Sequence, residues 1–325
     1  MVPPPDSYTR RSLSVEDLPQ VFGDVTPVPQ ADSDGVARID YPPHFATIYD
    51  YWRAVRGTEH SARVRDLTEL CLEYNPANYT VWQDRRLCIE AEWNVADVDE
   101  ELALAAKLGG SNPKNYQIWH HRRAVLEKLL DRKEQLEEYG NRELSYIASV
   151  LQVDGKNYHA WSQRQWVLRT ALPDPWDAEI QFAHSLIEAD IRNNSAWNDL
   201  WFASHRGEKD AMPMEEARIH VEYALQQARL DPYNESPLRF LVALVKEQGT
   251  ELLSDDALVA MDEQVVVPNE LGPSSALLAA RVDLLEFQQT EEAHSRALEV
   301  ARRLVEVDPI RRNYWNMRVS KLEAA

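Results

Sequence analysis

Glycine is scarce in this sequence. Ten occur among 325 residues, and eight of the eighteen prolines lie at or before Pro43. The remainder is poor in both helix breakers and rich in Ala, Leu, Glu and Arg, which favours helix over sheet. Cysteine is scarcer still: Cys71 and Cys88 stand alone, without pairing or zinc-ligand spacing. That argues against a disulfide framework and predicts a reducing compartment. No run approaches the roughly eighteen apolar residues of a membrane span, and MVPPPDSYTRRS lacks the apolar core of a signal peptide. A soluble, cytoplasmic protein with no transmembrane segment is the expectation. Positive charge is also in deficit, with 35 Lys and Arg against 54 Asp and Glu for a net charge of −19. Broad nucleic-acid binding needs a basic surface and is not expected. A small cationic pocket remains possible, because screening confines charge effects to about 8 Å at physiological salt.

Tryptophan, in contrast, is plentiful, with ten residues, and its placement exposes an internal repeat. NPANYTVWQDRR starts at Asn75, NPKNYQIWHHRR at Asn112 and DGKNYHAWSQRQ at Asp154. Weaker copies start at Asp190, Asp231 and Asp308, and a degenerate one opens near Asn269. Seven residues after each opening lies an anchor: Trp82, Trp119, Trp161, Trp197, Leu238, Ala276 or Trp315. The mean step is about 39 residues, longer than the roughly 34 of tetratricopeptide repeats.

Each copy reads as a helical hairpin. An amphipathic stretch such as SARVRDLTELCLEY ends at an Asn-Pro, Asp-Pro or Asp-Gly turn, and Asn78, Asn115 or Asn157 then caps the helix carrying the Trp. Stacked hairpins give an all-α, right-handed α-α superhelix (a solenoid), with the Trp column in its core. Residues 1–43, rich in Pro, Ser and Asp, read as a disordered N-terminal segment, and residues 44–325 as the repeat domain.

The strings NYTVW, NYQIWHHRR and NYHAWSQRQW resemble the repeats of protein prenyltransferase α subunits, and the likeness spans Tyr41 to the C-terminus. NYQIWHHRR, with Gln117 after Tyr116, looks like the α subunit shared by protein farnesyltransferase and geranylgeranyltransferase type I. The resemblance implies a crescent of hairpins around a β subunit that is an α/α barrel, with the active site where they meet. It implies transfer of a farnesyl or geranylgeranyl group from its diphosphate to the cysteine of a C-terminal Cys-a-a-X sequence, on substrates such as small GTPases. Zinc would be held by the β subunit, and magnesium would accompany the diphosphate.

Read without the resemblance, the turns around Lys114, Asn115 and Tyr116 and around Asn157, Tyr158 and His159 form one edge of the stack, where helix N-termini suit anions. The resemblance implies that Lys114 contacts the diphosphate at the leaving-group end, with Asn157, Tyr158 and His159 close by, and that Tyr116 binds substrate. It further implies that Gln117 bonds the substrate carboxylate and that Tyr79 lines the pocket for residue X. Each has a plainer reading: a solvated turn lysine, capping asparagines, tyrosines packing hairpin on hairpin, a structural histidine. His120 and His121 are adjacent on a helix, point apart, and make a poor metal pair. Two other functions fit the same architecture: a non-catalytic scaffold binding a protein partner on its concave face, or the α subunit of a Rab-type geranylgeranyltransferase.

Overall fold

The protein is described by a computed structural model over residues 8–31, 39–110, 112–208, 211–252 and 272–324. All regular structure among these residues is helical, and the chain divides into two compact units, Met1–Leu172 and Pro173–Ala325. The first holds α1 (Leu18–Val21), α2 (Pro43–Val55), α3 (Ala62–Tyr74), α4 (Tyr79–Ala91), α5 (Asp97–Gly109), α6 (Tyr116–Glu127), α7 (Lys133–Val153) and α8 (Tyr158–Thr170). The pairs α3–α4, α5–α6 and α7–α8 pack as hairpins, and α4 lies on α6 and α6 on α8, so the Trp-bearing helices form a continuous row. Gly140 lets α7 close on the end of α8, since a Cβ there would lie 2.8 Å from the Cβ of Ala171.

The second unit holds α9 (Trp176–Ala189), α10 (Asn194–Ser204), α11 (Met214–Leu230), α12 (Glu235–Gln248), α13 (Ser275–Gln288), α14 (Glu291–Val307) and α15 (Arg312–Ala324). Its hairpins are α9–α10, α11–α12 and α14–α15, with α10 on α12 and α12 on α13. The degenerate opening near Asn269 lies outside the described residues. All seven anchors, from Trp82 to Trp315, are buried. Truncating a buried Trp to Ala costs about 3–5 kcal/mol, so this column is a principal source of stability. No helix among the described residues is long and apolar enough to cross a membrane.

The N-terminal segment departs from expectation. Residues 1–7 and 32–38 lie outside the described residues, but 8–31 are ordered against α2 and α3. Leu13, Leu18 and Phe22 are buried in the core of the first unit. The Tyr8 hydroxyl donates to Asp66 (2.9 Å), the Arg11 amide donates to the same carboxylate (2.8 Å), and Arg63 donates to Asp24 (2.7 Å) from beneath the Phe22 ring. The Val28 amide donates to the Asp50 carbonyl (3.0 Å). Low average hydrophobicity conceals three apolar anchors, and their burial with these charge-assisted bonds offsets the entropy of ordering the segment.

Candidate functional site at the turn edge of the first unit

The edge is built by a repeating set of side-chain bonds. The opening residue of each turn closes it locally: Oδ1 of Asn75, Asn112 and Asp154 accepts from the amides of Ala77 (3.2 Å), Lys114 (3.3 Å) and Lys156 (3.1 Å). Three residues on, Asn78, Asn115 and Asn157 cap the next helix, accepting from Thr80 (3.1 Å), Gln117 (3.0 Å) and His159 (3.0 Å). The capping amides then reach back one repeat. Asn115 Nδ2 donates to the Pro76 carbonyl (2.7 Å), and Asn157 Nδ2 donates to that of Pro113 (3.0 Å). The same two carbonyls receive the indole N–H of Trp82 (2.9 Å) and Trp119 (2.8 Å). The Asn and Trp columns of the sequence are therefore one hydrogen-bonded ladder that sets the spacing of successive turns.

On this ladder stand the expected site residues. Tyr79, Tyr116 and Tyr158 each open a helix and are 66%, 61% and 75% exposed, so most of each side chain faces away from the core. His159 is half-buried; its ring lies 6.4 Å from that of Tyr116 at 26° and meets Tyr158 edge-on at 5.7 Å. Lys114 Nζ lies 3.1 Å from Asp154 Oδ2, with 70% of its side chain exposed. The structure thus brings Lys114, Tyr116, Tyr158 and His159 to one patch. Gln117, buried at the start of α6, and Tyr79, one repeat earlier, join the patch by register rather than by contact.

Asn157 differs from its expected place among the substrate ligands. It is 1% exposed, with its carbonyl oxygen taken by His159 and Ala160 and its amide bonded to Pro113. It builds the site without facing it. For the same reason the helix N-termini are a weaker anion seat than the sequence suggests, because the Asn oxygens already hold first-turn amides. The side-chain donors on this edge are an ammonium, two phenols and an imidazole.

With this geometry in view, four copies of a family model described as "Protein prenyltransferase alpha subunit repeat" match residues 62–92, 98–129, 141–171 and 176–206, the hairpins α3–α4 through α9–α10. The chain is 33% identical over 308 residues to the protein farnesyltransferase/geranylgeranyltransferase type-1 subunit alpha of Dictyostelium discoideum, covering 93% of this chain and 92% of that protein. It is 36% identical to the protein of the same name from Pisum sativum, covering 94% of both. The chain belongs to the family of protein prenyltransferase α subunits. Among solved structures, Candida albicans protein geranylgeranyltransferase-I complexed with GGPP matches with a TM-score of 0.72 and 25% identity, covering 92% of this chain and 98% of that one.

In this prenyltransferase α subunit the cysteines are core residues. Both are buried; burial pushes the Cys88 thiol up to about 12 and raises Cys71 as well, so neither offers a thiolate at neutral pH. His121 is fully buried while His120 faces a groove of about 260 Å³ with Trp93 and Arg86, so the two histidines do diverge. Among the described residues no group of three or more His, Cys, Asp or Glu is placed to hold a metal.

Sequence reasoning missed the buried ion pairs behind the edge. Arg85 donates twice to Glu101 (both 2.7 Å), which also accepts from Arg65 (2.7 Å) and contacts His121 (2.9 Å). Arg122 pairs with Glu143 in the same way one repeat later (2.9 Å). Burial would raise Glu101, but Arg85 and His121 hold its carboxyl well below the usual range. A signal was present: an Arg three residues after the Trp, and a Glu eleven residues before the next opening Asn or Asp, recur with the repeat.

Proposed function

We propose that this α subunit, joined to a β subunit, transfers a farnesyl or geranylgeranyl group to the cysteine of a C-terminal Cys-a-a-X sequence. The C1–O bond of the isoprenoid diphosphate breaks, its electron pair leaves with the diphosphate, and the cysteine thiolate forms the new C1–S bond. The observation that carries the reading is the exposed Lys114 ammonium on the same turn edge as the Tyr116–His159–Tyr158 group, on a chain that is acidic as a whole. As the C1–O bond stretches, charge grows on the leaving oxygens, and a fixed cation with phenol and imidazole donors stabilises that charge more than the bound substrate. Gln117, at the base of the patch, bonds the substrate carboxylate, and Tyr79 lines the pocket for residue X.

This chain provides no activated thiolate, so that part of the chemistry belongs to the partner. Zinc held by the β subunit supplies it, and magnesium travels with the diphosphate. The partner also sets isoprenoid length, so one α subunit serves both lipids in the cytoplasm. The relatives that cover over nine-tenths of the chain are type-1 α subunits, which favours this reading over the Rab-type one.

Co-expression with candidate β subunits, followed by prenylation of a Cys-a-a-X peptide with each diphosphate, tests the proposal. A stable heterodimer, active only when both chains are present, is expected. A solitary chain that is monodisperse and engages its protein partner without any β subunit would favour the scaffold reading.

A further inference from the structure

We propose that Asp154 is the positioning residue for Lys114: from the next turn along the edge it holds the ammonium 3.1 Å away, fixing a long exposed side chain on the edge that carries Tyr116, Tyr158 and His159. This rests on the reading that Lys114 meets the diphosphate. An unpinned lysine on a four-carbon stem samples many rotamers, so its ammonium has no fixed place along the edge. The Asp154 carboxylate divides its work between its oxygens. Oδ1 accepts from the Lys156 amide (3.1 Å) and closes the turn, while Oδ2 takes the Lys114 ammonium. The ammonium and the Lys156 amide hold the carboxyl below its usual range, so it stays ionised at neutral pH.

The repeats supply an internal control. Asn75 and Asn112 occupy the same opening position and close their turns through Oδ1 alone, so a neutral amide suffices for the local fold. The residue that precedes Asn112 by one turn, in the slot of Lys114, is Ala77. At Asp154 a carboxylate stands where the neighbouring turn presents a cation. The arrangement recurs as Arg192 with Asp231 (2.6 Å) in the second unit. The Lys114 pair lies in the two turns that lead into Tyr116 and into Tyr158 and His159.

Asp154→Asn keeps the turn acceptor and removes the charge that pins Lys114. The carboxylate also repels a bound diphosphate, so its loss has opposite consequences for binding and chemistry. In the assembled heterodimer, single-turnover prenylation of a Cys-a-a-X peptide should slow roughly tenfold, as for other losses of alignment at a reacting group. Equilibrium binding of the lipid diphosphate should stay the same or tighten. Because the pair is exposed, the melting temperature should hold within about two degrees. In a Lys114→Ala background the Asp154→Asn change should cause no additional loss, since nothing remains to be positioned.

A normal chemical rate in Asp154→Asn, with Lys114→Ala defective, overturns the inference alone. So does an additional slowing in the double variant, or a joint loss of rate, affinity and melting temperature that marks a structural residue. A normal rate in Lys114→Ala removes the underlying reading of the site, and the inference with it.

Discussion

The two units use one turn design and place different chemistry on it. In the second unit Asn193 and Asn234 cap their helices as Asn115 and Asn157 do in the first. The Ile191 carbonyl accepts from Trp197 (3.0 Å) and Asn234 (2.7 Å), as the Pro113 carbonyl accepts from Trp119 and Asn157. What changes is the pair of residues that follows each cap. Where the first unit has Tyr116-Gln117 and Tyr158-His159, the second has Asn194-Ser195 and Glu235-Ser236. Glu235 is itself paired with Arg311 (3.1 Å). The cap and the indole bond recur in both units, whereas the residues that follow the cap do not.

The interior differs in parallel. The Glu eleven residues before each opening, Glu101 and Glu143 in the first unit, persists as Glu179 and then becomes His220. The repeat preceding His220 carries Leu200 where Arg85 and Arg122 stand in theirs. With no arginine to meet, His220 bonds the Ser204 hydroxyl (2.9 Å), and its Nδ1 is buried without a partner. Chiefly through burial, its pKa is pushed down to about 4.

The largest effect should come from breaking the interior charge network of the first unit. Glu101→Leu leaves Arg65 and Arg85 buried around an uncharged side chain, a change that costs about 3–5 kcal/mol when one partner of a buried pair is removed. Thermal melting of the heterodimer measures it; a loss below about 1 kcal/mol would mean the network adds little.

Next in size is the contrast between equivalent cations. Lys114→Ala should lower the single-turnover rate by roughly 10²–10³, the loss typical of one preorganised electrostatic contact, with heterodimer assembly intact. Arg192→Ala, at the same turn position in the second unit, should leave the rate unchanged. Equal defects in both would show that the turn pairs serve structure rather than chemistry.

Acid sensitivity should divide the units. Unfolded histidine titrates near the ordinary value of 6.5, whereas His220 in the fold takes its proton only near about 4. Between these values the unfolded state binds more protons, so the stabilisation from neutral His220 is complete above 6.5 and falls as pH drops toward 4. His121 in the first unit is also pushed down by burial, but the Glu101 carboxylate opposes that shift. Hydrogen exchange in α11 should therefore quicken over this window, and His220→Gln should flatten the dependence. An unchanged slope in that variant would assign the acid response elsewhere.

The smallest expected effect joins the units. Asn157→Ala and Asn234→Ala each remove a cap and a cross-repeat bond, and each should cost about 1 kcal/mol by thermal melting. The first should also slow prenylation through displacement of Tyr158 and His159, while the second leaves the rate alone.

Much of this was legible in one dimension. The period of the Trp column, the Asn caps and the scarcity of Gly dictate stacked helical hairpins, because capping and helical periodicity are local properties. The same register places Lys114, Tyr116, Tyr158 and His159 on one edge. Tertiary structure alone decided which polar groups remain free there. The Asn157 amide is taken by a carbonyl 44 residues away, whereas Lys114, beside a carboxylate from the next turn, keeps 70% of its side chain exposed. The pairing of Arg85 with Glu101 and the docking of Leu13, Leu18 and Phe22 were likewise settled only by packing. These outcomes join residues from separate turns or helices, and composition and spacing register the residue types without recording which partners the fold sets within hydrogen-bonding distance.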